Sequence, residues 1–209
     1  MDATFMLTVF TTFMVVIDPI ALAPMFIPLT AGMDTQHRRR IAIRGCLTAA
    51  GILTVFGLLG AGLLKVIGIS LPAFRIAGGM LLFLIALDML FERRNKRRQD
   101  KTEGPQALEH EDPSVFPLAI PLIAGPGSIA SMILLVSQAG GDWKGFFLVE
   151  AIMLGVMFLA FLSMLAAGYV ERALGKTGTL VVTRLLGMLL AALAVQFIVD
   201  GIQGTGLLK

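Results

Sequence analysis

Apolar residues fall into six long runs along the chain, separated by short polar stretches. The runs cover roughly residues 5–31, 41–67, 72–91, 114–138, 146–170 and 180–203. Because about 20 apolar residues suffice to cross the hydrocarbon core of a bilayer as a helix, each run is predicted to be a transmembrane helix. The stretch 93–113 mixes charges of both signs and is predicted to be a polar loop without a core of its own. It divides the chain into two parts with three spans each, residues 1–92 and 114–209.

The composition supports a membrane protein. Of the 209 residues, 56% are hydrophobic and 15% are charged, whereas about a quarter of the residues of a typical soluble domain are charged. We therefore predict an all-α polytopic membrane protein whose partner is the lipid bilayer. The net charge of +3 is concentrated in particular loops, which indicates membrane topology rather than nucleic-acid binding.

The distribution of lysine and arginine predicts the orientation. The loops after spans one, three and five hold 13 of the 17 basic residues: Arg38, Arg39, Arg40, Arg44, Arg93, Arg94, Lys96, Arg97, Arg98, Lys101, Arg172, Lys176 and Arg184. Basic loops stay on the cytoplasmic side of a membrane. We expect these three loops to be cytoplasmic and both termini to face the periplasm of a bacterial inner membrane.

The first apolar run contains an acid and two prolines, Asp18, Pro19 and Pro24. A proline inside a helix removes a backbone donor and clashes with the preceding turn, so the helix should break there. The order Asp-Pro matches the start of a new helix, with Asp18 as the N-cap and Pro19 in the first turn. A helix N-terminus inside a membrane is costly unless its N–H groups find partners, which suggests a ligand site.

The two halves of the chain resemble each other. A shift of 107 aligns residues 19–25 with 126–132 and Gly68 with Gly175, and a shift of 108 aligns 79–86 with 187–194. Since each half has three spans, the second half must enter the membrane from the opposite side. We therefore predict an inverted repeat, an arrangement found in many secondary transporters. The first helix of each repeat is broken, with Gly125 and Pro126 in the places of Asp18 and Pro19.

Two facing helix N-termini would bind a carboxylate, and an ionised Asp18 would suit an amine or a coupling cation. Small residues around the breaks favour a compact ligand. The candidate substrate-binding residues are Asp18, Pro19, Ala21, Gly125, Pro126, Gly127, Ser128, Ser131 and Gln196, and Asp18 is also the candidate for the coupling ion. A structural interpretation stays open, because transmembrane prolines and glycines often serve packing alone.

Other polar residues give weaker signals. Glu150 lies near the outer end of span five and has a lesser claim to a functional role, and Gln196 could make either an interhelical hydrogen bond or a site contact. The two histidines, His37 and His110, lie in loops without metal-ligand spacing. No motif for a nucleophile, a phosphate or a dinucleotide is present. We expect no enzyme activity, no metal and no cofactor.

Several motifs resemble those of the MarC family, also called UPF0056 or the six-span neutral amino acid transporter family. They are residues 18–21, 124–129, 187–190 and 197–201. The resemblance implies a bacterial inner-membrane protein with six spans that transports small neutral amino acids such as alanine and glycine. The family's first motif usually has Asn, Pro and then Gly, where this chain has Asp18, Pro19 and Ala21. The substituted acid adds a titratable charge, so the choice of substrate or coupling ion can differ.

Three hypotheses follow. The first is a secondary transporter of a small neutral amino acid, driven by Na⁺ or H⁺, with its site at the two breaks. The second is an exporter of another small metabolite or toxic compound. The third is a non-transporting membrane interaction protein, in which the glycine-rich faces serve helix assembly. Those faces would also permit a homodimer.

Overall fold

The computed structural model describes residues 3–30, 32–91, 113–140 and 142–206, and within these ranges every regular element is a helix. There are eight in the described part of the chain: α1 (Ala3–Ile17), α2 (Pro19–Leu29), α3 (Thr35–Ile67), α4 (Leu71–Leu90), α5 (Ser114–Ile123), α6 (Pro126–Gln138), α7 (Trp143–Leu165) and α8 (Ala167–Gly204). The predicted polar loop lies outside the described residues except for Pro113.

In the part of the chain that the structure describes, five helical stretches are long and apolar enough to cross a membrane: Ala3–Ile27, Thr35–Ile67, Leu71–Leu90, Trp143–Leu165 and Leu180–Gly204. The first of them runs through the break between α1 and α2. The remaining predicted run, 114–138, is divided into the short helices α5 and α6. The prediction of an all-helical membrane protein is confirmed, with one of the six apolar runs lacking a continuous helix of spanning length.

Two helices extend into stretches predicted as loops. Helix α3 begins at Thr35 rather than near residue 41, because the Asp34 side chain accepts a hydrogen bond of 2.7 Å from the His37 N–H and caps the helix. The predicted turn 171–179 lies inside α8, where only Gly175 leaves helical geometry, with φ 59°. The first predicted loop was therefore too long, because charged side chains are compatible with helix, whereas the second contains an interruption of the helix at Gly175.

Helix α5 is distorted by its prolines. Phe116 and Ile120 have extended geometry, with φ −124° in both and ψ 128° and 123°. Each directly precedes a proline, whose ring disfavours helical geometry in the residue before it. The hydrogen bonds of α5 widen accordingly, and the Ala124 N–H donates to the carbonyl five residues earlier, on Ala119, at 2.8 Å.

The most extensive contact between helices joins α4 to α8. Its centre is formed by two glycines. A Cβ placed on Gly79 would lie 2.8 Å from the Ala194 carbonyl oxygen, and one on Gly187 would lie 3.3 Å from the Ala86 carbonyl oxygen. Gly201, further along α8, approaches Pro72 at the start of α4. Residue numbers rise along one helix as they fall along the other, so the two helices are antiparallel.

The middle helices α3 and α7 are also antiparallel. Gly57 packs against Phe146, and Thr54 contacts Glu150 one turn further along. Each broken span packs mainly on the middle helix of the other half: α1 and α2 contact α7, and α5 and α6 contact α3. The halves are therefore interlocked, and the two breaks are held in the centre of the molecule.

Candidate ligand site at the two helix breaks

The first break is made by a single residue, Asp18, which is fully buried. Its N–H donates to the Met14 carbonyl at 3.1 Å and ends α1, and its carbonyl accepts from the Leu22 N–H at 3.1 Å and begins α2. Its φ of 55° is the one positive value at a non-glycine residue within the described ranges. Aspartate tolerates this left-handed conformation better than most residues do, because its short polar side chain can bond locally.

The carboxylate of Asp18 also caps α2. Its Oδ1 accepts a hydrogen bond of 3.2 Å from the Ala21 N–H, which is the capping bond expected of an N-cap aspartate. Asp18 and Pro19 thus occupy the N-cap and first-turn positions that the sequence predicted. The backbone differs from that of an ordinary N-cap, which is extended, since the chain must turn sharply between two helices without an intervening loop.

The second break has ordinary N-cap geometry. Gly125 is extended, with φ −82° and ψ 172°, and Pro126 follows in the first turn of α6. Since Gly125 has no side chain, α6 begins without a side-chain cap. The Ser128 hydroxyl, which is buried, donates to the Ile123 carbonyl at the end of α5, at 2.7 Å. This bond satisfies a carbonyl that the break would otherwise leave without a partner.

The two breaks adjoin each other. A Cβ placed on Gly127 would lie 3.4 Å from Val16 Cγ1 and 2.5 Å from Ile85 Cδ1. Val16 is two residues before Asp18, so glycine at 127 allows the beginning of α6 to approach the end of α1. We call Val16–Ala21 and Gly125–Ser131 together the break junction.

Most of the predicted site residues lie in this junction. Pro19, Ala21, Gly127, Ser128 and Ser131 are buried with Asp18, whereas Gly125 is half-buried and Pro126 is exposed. Gln196 lies elsewhere. Its side chain is exposed on α8 and donates to Asp200 Oδ1 at 2.7 Å, four residues further along the same helix.

Ser131 differs from Ser128 in its bonding. It is fully buried, and its hydroxyl has no hydrogen-bond partner in the part of the chain that the structure describes. It lies four residues after Gly127 and so on the same face of α6. An unsatisfied buried hydroxyl costs about 1–3 kcal/mol, a cost that a polar group of a bound ligand would remove.

The contact between Glu150 and Thr54 was not predicted from the sequence. Glu150 of α7 is buried and lies 2.6 Å from the Thr54 hydroxyl of α3, a residue that was not singled out. The signal was present, because an ionisable residue inside a spanning helix is a functional candidate by default. What the sequence could not show was that a hydroxyl on another helix lies opposite it. Among the described residues, no group of three or more His, Cys, Asp or Glu could hold a metal ion.

The two serines provide a first prediction. Ser128→Ala should lower the free energy of unfolding by about 1–3 kcal/mol, since it leaves the Ile123 carbonyl without its donor. Ser131→Ala removes no hydrogen bond among the described residues and removes an unsatisfied buried hydroxyl, so it should keep or raise stability while weakening ligand binding. Thermal unfolding of the two variants in detergent, with and without ligand, checks this. Equal destabilisation by both substitutions would contradict it.

The fold and the junction together define an integral membrane protein with several spanning helices and a buried pair of helix breaks. The comparison with known families agrees. Residues 3–205 match the family described as MarC family integral membrane protein. The chain belongs to the MarC family, which confirms the resemblance seen in its motifs.

Relatives cover nearly the whole chain. The UPF0056 membrane protein MJ1677 of Methanocaldococcus jannaschii is 37% identical over 204 residues, which is 98% of either chain. The UPF0056 membrane protein YvbG of Bacillus subtilis is 35% identical over 205 residues, 96% of this chain and 95% of the relative. The UPF0056 membrane protein YhcE of Escherichia coli is 35% identical over 190 residues, 90% and 87% of the two chains. No solved structure matches the chain.

Proposed function

We propose that this protein is a secondary transporter of small neutral amino acids such as alanine or glycine, coupled to Na⁺ or H⁺. The observation that supports the proposal is the break junction. Two helices are interrupted at matched positions, and the buried residues Gly127 and Val16 bring the two interruptions next to each other. Broken helices at corresponding positions of two repeats are where secondary transporters bind their substrates.

The packing of α4 and α8 supports an inverted repeat. Under the shift of 108, Gly79 corresponds to Gly187 and Ala86 to Ala194, and the contacts are reciprocal: Gly79 meets Ala194, and Gly187 meets Ala86. Two equivalent helices that are antiparallel are related by a two-fold axis perpendicular to them. For helices that cross a bilayer, this axis lies in the membrane plane. The shift of 107, which aligns Gly68 with Gly175, is supported as well, because both glycines have positive φ.

The chemistry of the junction suits a small zwitterion. The uncapped beginning of α6 offers backbone N–H donors and a partial positive charge to a carboxylate. Asp18 provides a carboxylate for an amine or for a coupling cation. The junction is closely packed, with Val16 and Ile85 against Gly127, which favours a compact substrate. No cofactor, metal or enzymatic step is part of the proposal.

We further propose that the protein lies in the bacterial inner membrane, with both termini in the periplasm. The basic residues at the beginning of α3 support this orientation. Arg39 and Arg40 are exposed in its first turns, after the Asp34 cap. They lie at the end of the helix that the positive-inside rule assigns to the cytoplasm.

The alternative of a non-transporting interaction protein loses part of its basis. It relied on the glycine-rich second span for assembly between molecules, yet Gly45, Gly57 and Gly60 pack against side chains of their own chain. Glycines on α3 with no neighbour within 4 Å, Gly51 and Gly62, remain for contacts with a second copy. An exporter of another metabolite would use the same junction, so substrate screening must separate it from an amino acid transporter.

The test is transport by the purified protein in liposomes. We expect radiolabelled alanine or glycine to accumulate when a Na⁺ or H⁺ gradient is imposed, and unlabelled neutral amino acids to raise the unfolding temperature of the protein in detergent. Leucine and lysine serve as controls for size and charge. Stabilisation by a different metabolite alone would favour the exporter. Neither flux nor stabilisation by any neutral amino acid would contradict the proposal.

A further inference from the structure

Glu150 lies two turns inside α7 and is not one of the residues that define the break junction. It is 9% exposed. Its Oε1 contacts the Thr54 hydroxyl at 2.6 Å, and its Oε2 is buried without a hydrogen-bond partner among the described residues. A charged carboxylate inside a membrane protein is costly unless it is paired. Among the residues that the structure describes, one hydroxyl, that of Thr54, contacts the carboxyl group, and no positive charge does.

The hydrogen bonds of Thr54 indicate how this carboxyl is satisfied. Thr54 Oγ1 lies 2.8 Å from the Ala50 carbonyl oxygen and 2.6 Å from Glu150 Oε1. A threonine hydroxyl carries one hydrogen, so it can donate to only one of these two oxygens. Both short contacts are hydrogen bonds when Thr54 donates to Ala50 and a protonated Glu150 donates to Thr54. When the proton leaves, Thr54 must turn its hydrogen toward the carboxylate and release Ala50.

A cavity of about 180 Å³ lies about one helical turn from this pair, between α3, α6 and α7. Its lining includes Gly57, three residues after Thr54 on α3, and Phe146, four residues before Glu150 on α7. Ser137 and Asp142 also line it. Asp142 caps the beginning of α7 and is exposed. The cavity therefore leads from the polar end of α7 to within about one helical turn of Glu150.

The titratable groups on the elements that carry or contact Glu150 and Thr54 are as follows. Within their bounds, α1, α2 and α6 carry no titratable side chain. Cys46, Arg44 and Lys65 of α3 are eight, ten and eleven residues from Thr54, or about 12–17 Å along the axis. The remaining groups on packed elements are His37, Arg38, Arg39 and Arg40 of α3, Asp18 between α1 and α2, Lys144 of α7, and Tyr169, Glu171, Arg172, Lys176, Arg184 and Asp200 of α8.

We propose that Glu150, with Thr54, is a proton-binding site at the α3–α7 contact, and that it couples substrate movement to H⁺. The coupling rests on the proposed transport function, whereas proton binding does not. The step is a simple protonation, in which the Glu150 carboxylate takes up H⁺ from the side of the cavity and later releases it. This assignment leaves Asp18 for the amine of the substrate.

Infrared difference spectroscopy tests proton binding without transport. A pH jump on wild-type protein should produce a carbonyl band of a protonated carboxyl group that is absent in Glu150→Gln. Thr54→Val should keep the band and shift its frequency, because the hydrogen bond is lost. Asp200→Asn is the matched control, since Asp200 is an acid of α8 bonded to Gln196, and it should keep the band unchanged. A band that persists unaltered in Glu150→Gln overturns the proposal.

Liposome flux tests the coupling. Glu150→Gln should lower alanine uptake driven by a pH gradient by roughly tenfold or more, while alanine–alanine exchange stays within about threefold of wild type. Uptake that still follows the pH gradient in Glu150→Gln overturns the coupling. Absence of any alanine flux in wild type, with the infrared band present, contradicts the transport function and leaves the proton site standing.

Discussion

Replacing Gly79 by leucine should prevent the protein from reaching or keeping its native fold, while the same replacement at Gly62 should be tolerated. A Cβ on Gly79 would lie 2.8 Å from the Ala194 carbonyl oxygen and 3.1 Å from the Ile198 backbone nitrogen. Both atoms belong to the backbone of α8, so no side chain can rotate away. Helices α4 and α8 would have to separate, and with them the largest helix–helix contact of the molecule.

The expected size of this effect follows from overpacking. Extra methylene groups in a packed core cost about 1–3 kcal/mol when side chains can adjust, and a backbone clash should exceed that range. Gly187→Leu, at the corresponding position of α8, should act in the same direction but less strongly, since its nearest backbone atom is 3.3 Å away.

Thermal unfolding and size-exclusion profiles in detergent measure the effect of these substitutions. Gly62 has no atom within 4 Å of its Cβ position, so Gly62→Leu controls for the loss of a glycine from an apolar helix. A Gly79→Leu protein that is monodisperse and unfolds at the wild-type temperature would contradict the described packing of α4 on α8.

The spanning helices and the two breaks could be predicted from sequence because the signals are local. A run of apolar residues needs no partner to indicate a membrane span. The pairs Asp18–Pro19 and Gly125–Pro126 carry their own capping chemistry. The extended geometry of Phe116 and Ile120 could also be predicted, since each precedes a proline, but only the break at Gly125 was predicted.

The remaining features depend on contacts between distant parts of the chain. Gln196 was a candidate for the site as a polar residue inside the sixth apolar run, yet it bonds to Asp200 on the same helix and is exposed. Glu150 gained its importance only when folding brought Thr54, 96 residues earlier, to within 2.6 Å of it. Sequence periodicity places a residue on a helix but does not show which helix lies opposite.

The two breaks are equivalent in position but differ in chemistry. The first has a carboxylate that caps its own helix, and the second has a glycine and leaves the cap of α6 open. A zwitterion has the matching asymmetry, because its amine needs the acid and its carboxylate needs the free N–H donors. The acid at position 18 should therefore serve both the fold and the substrate, and substitutions can separate these two roles.

Asp18→Ala should destabilise the protein and abolish transport, while Asp18→Asn should preserve the fold and lose affinity for the substrate. Alanine removes the acceptor for the Ala21 N–H, which costs about 1 kcal/mol. It also puts a residue without a polar side chain into the left-handed conformation, with φ 55°, which costs about 1–2 kcal/mol. Asparagine keeps both the acceptor and the tolerance for left-handed geometry, so it changes mainly the charge. Asp18→Gly controls for the backbone, since it removes the side chain without the conformational penalty.

The unfolding temperature should therefore be highest, and about equal, for wild type and Asp18→Asn. It should be lower for Asp18→Gly and lowest for Asp18→Ala. In liposomes, Asp18→Asn should raise the KM for alanine by about tenfold or more, because the amine of the substrate loses a buried charged partner. Its response to a pH gradient should stay that of wild type, since Glu150 holds the proton. A changed pH or Na⁺ dependence with an unchanged KM would instead assign the coupling ion to Asp18. An Asp18→Asn protein that is unchanged in KM and in ion dependence would remove Asp18 from the site and leave it only its role as a helix cap.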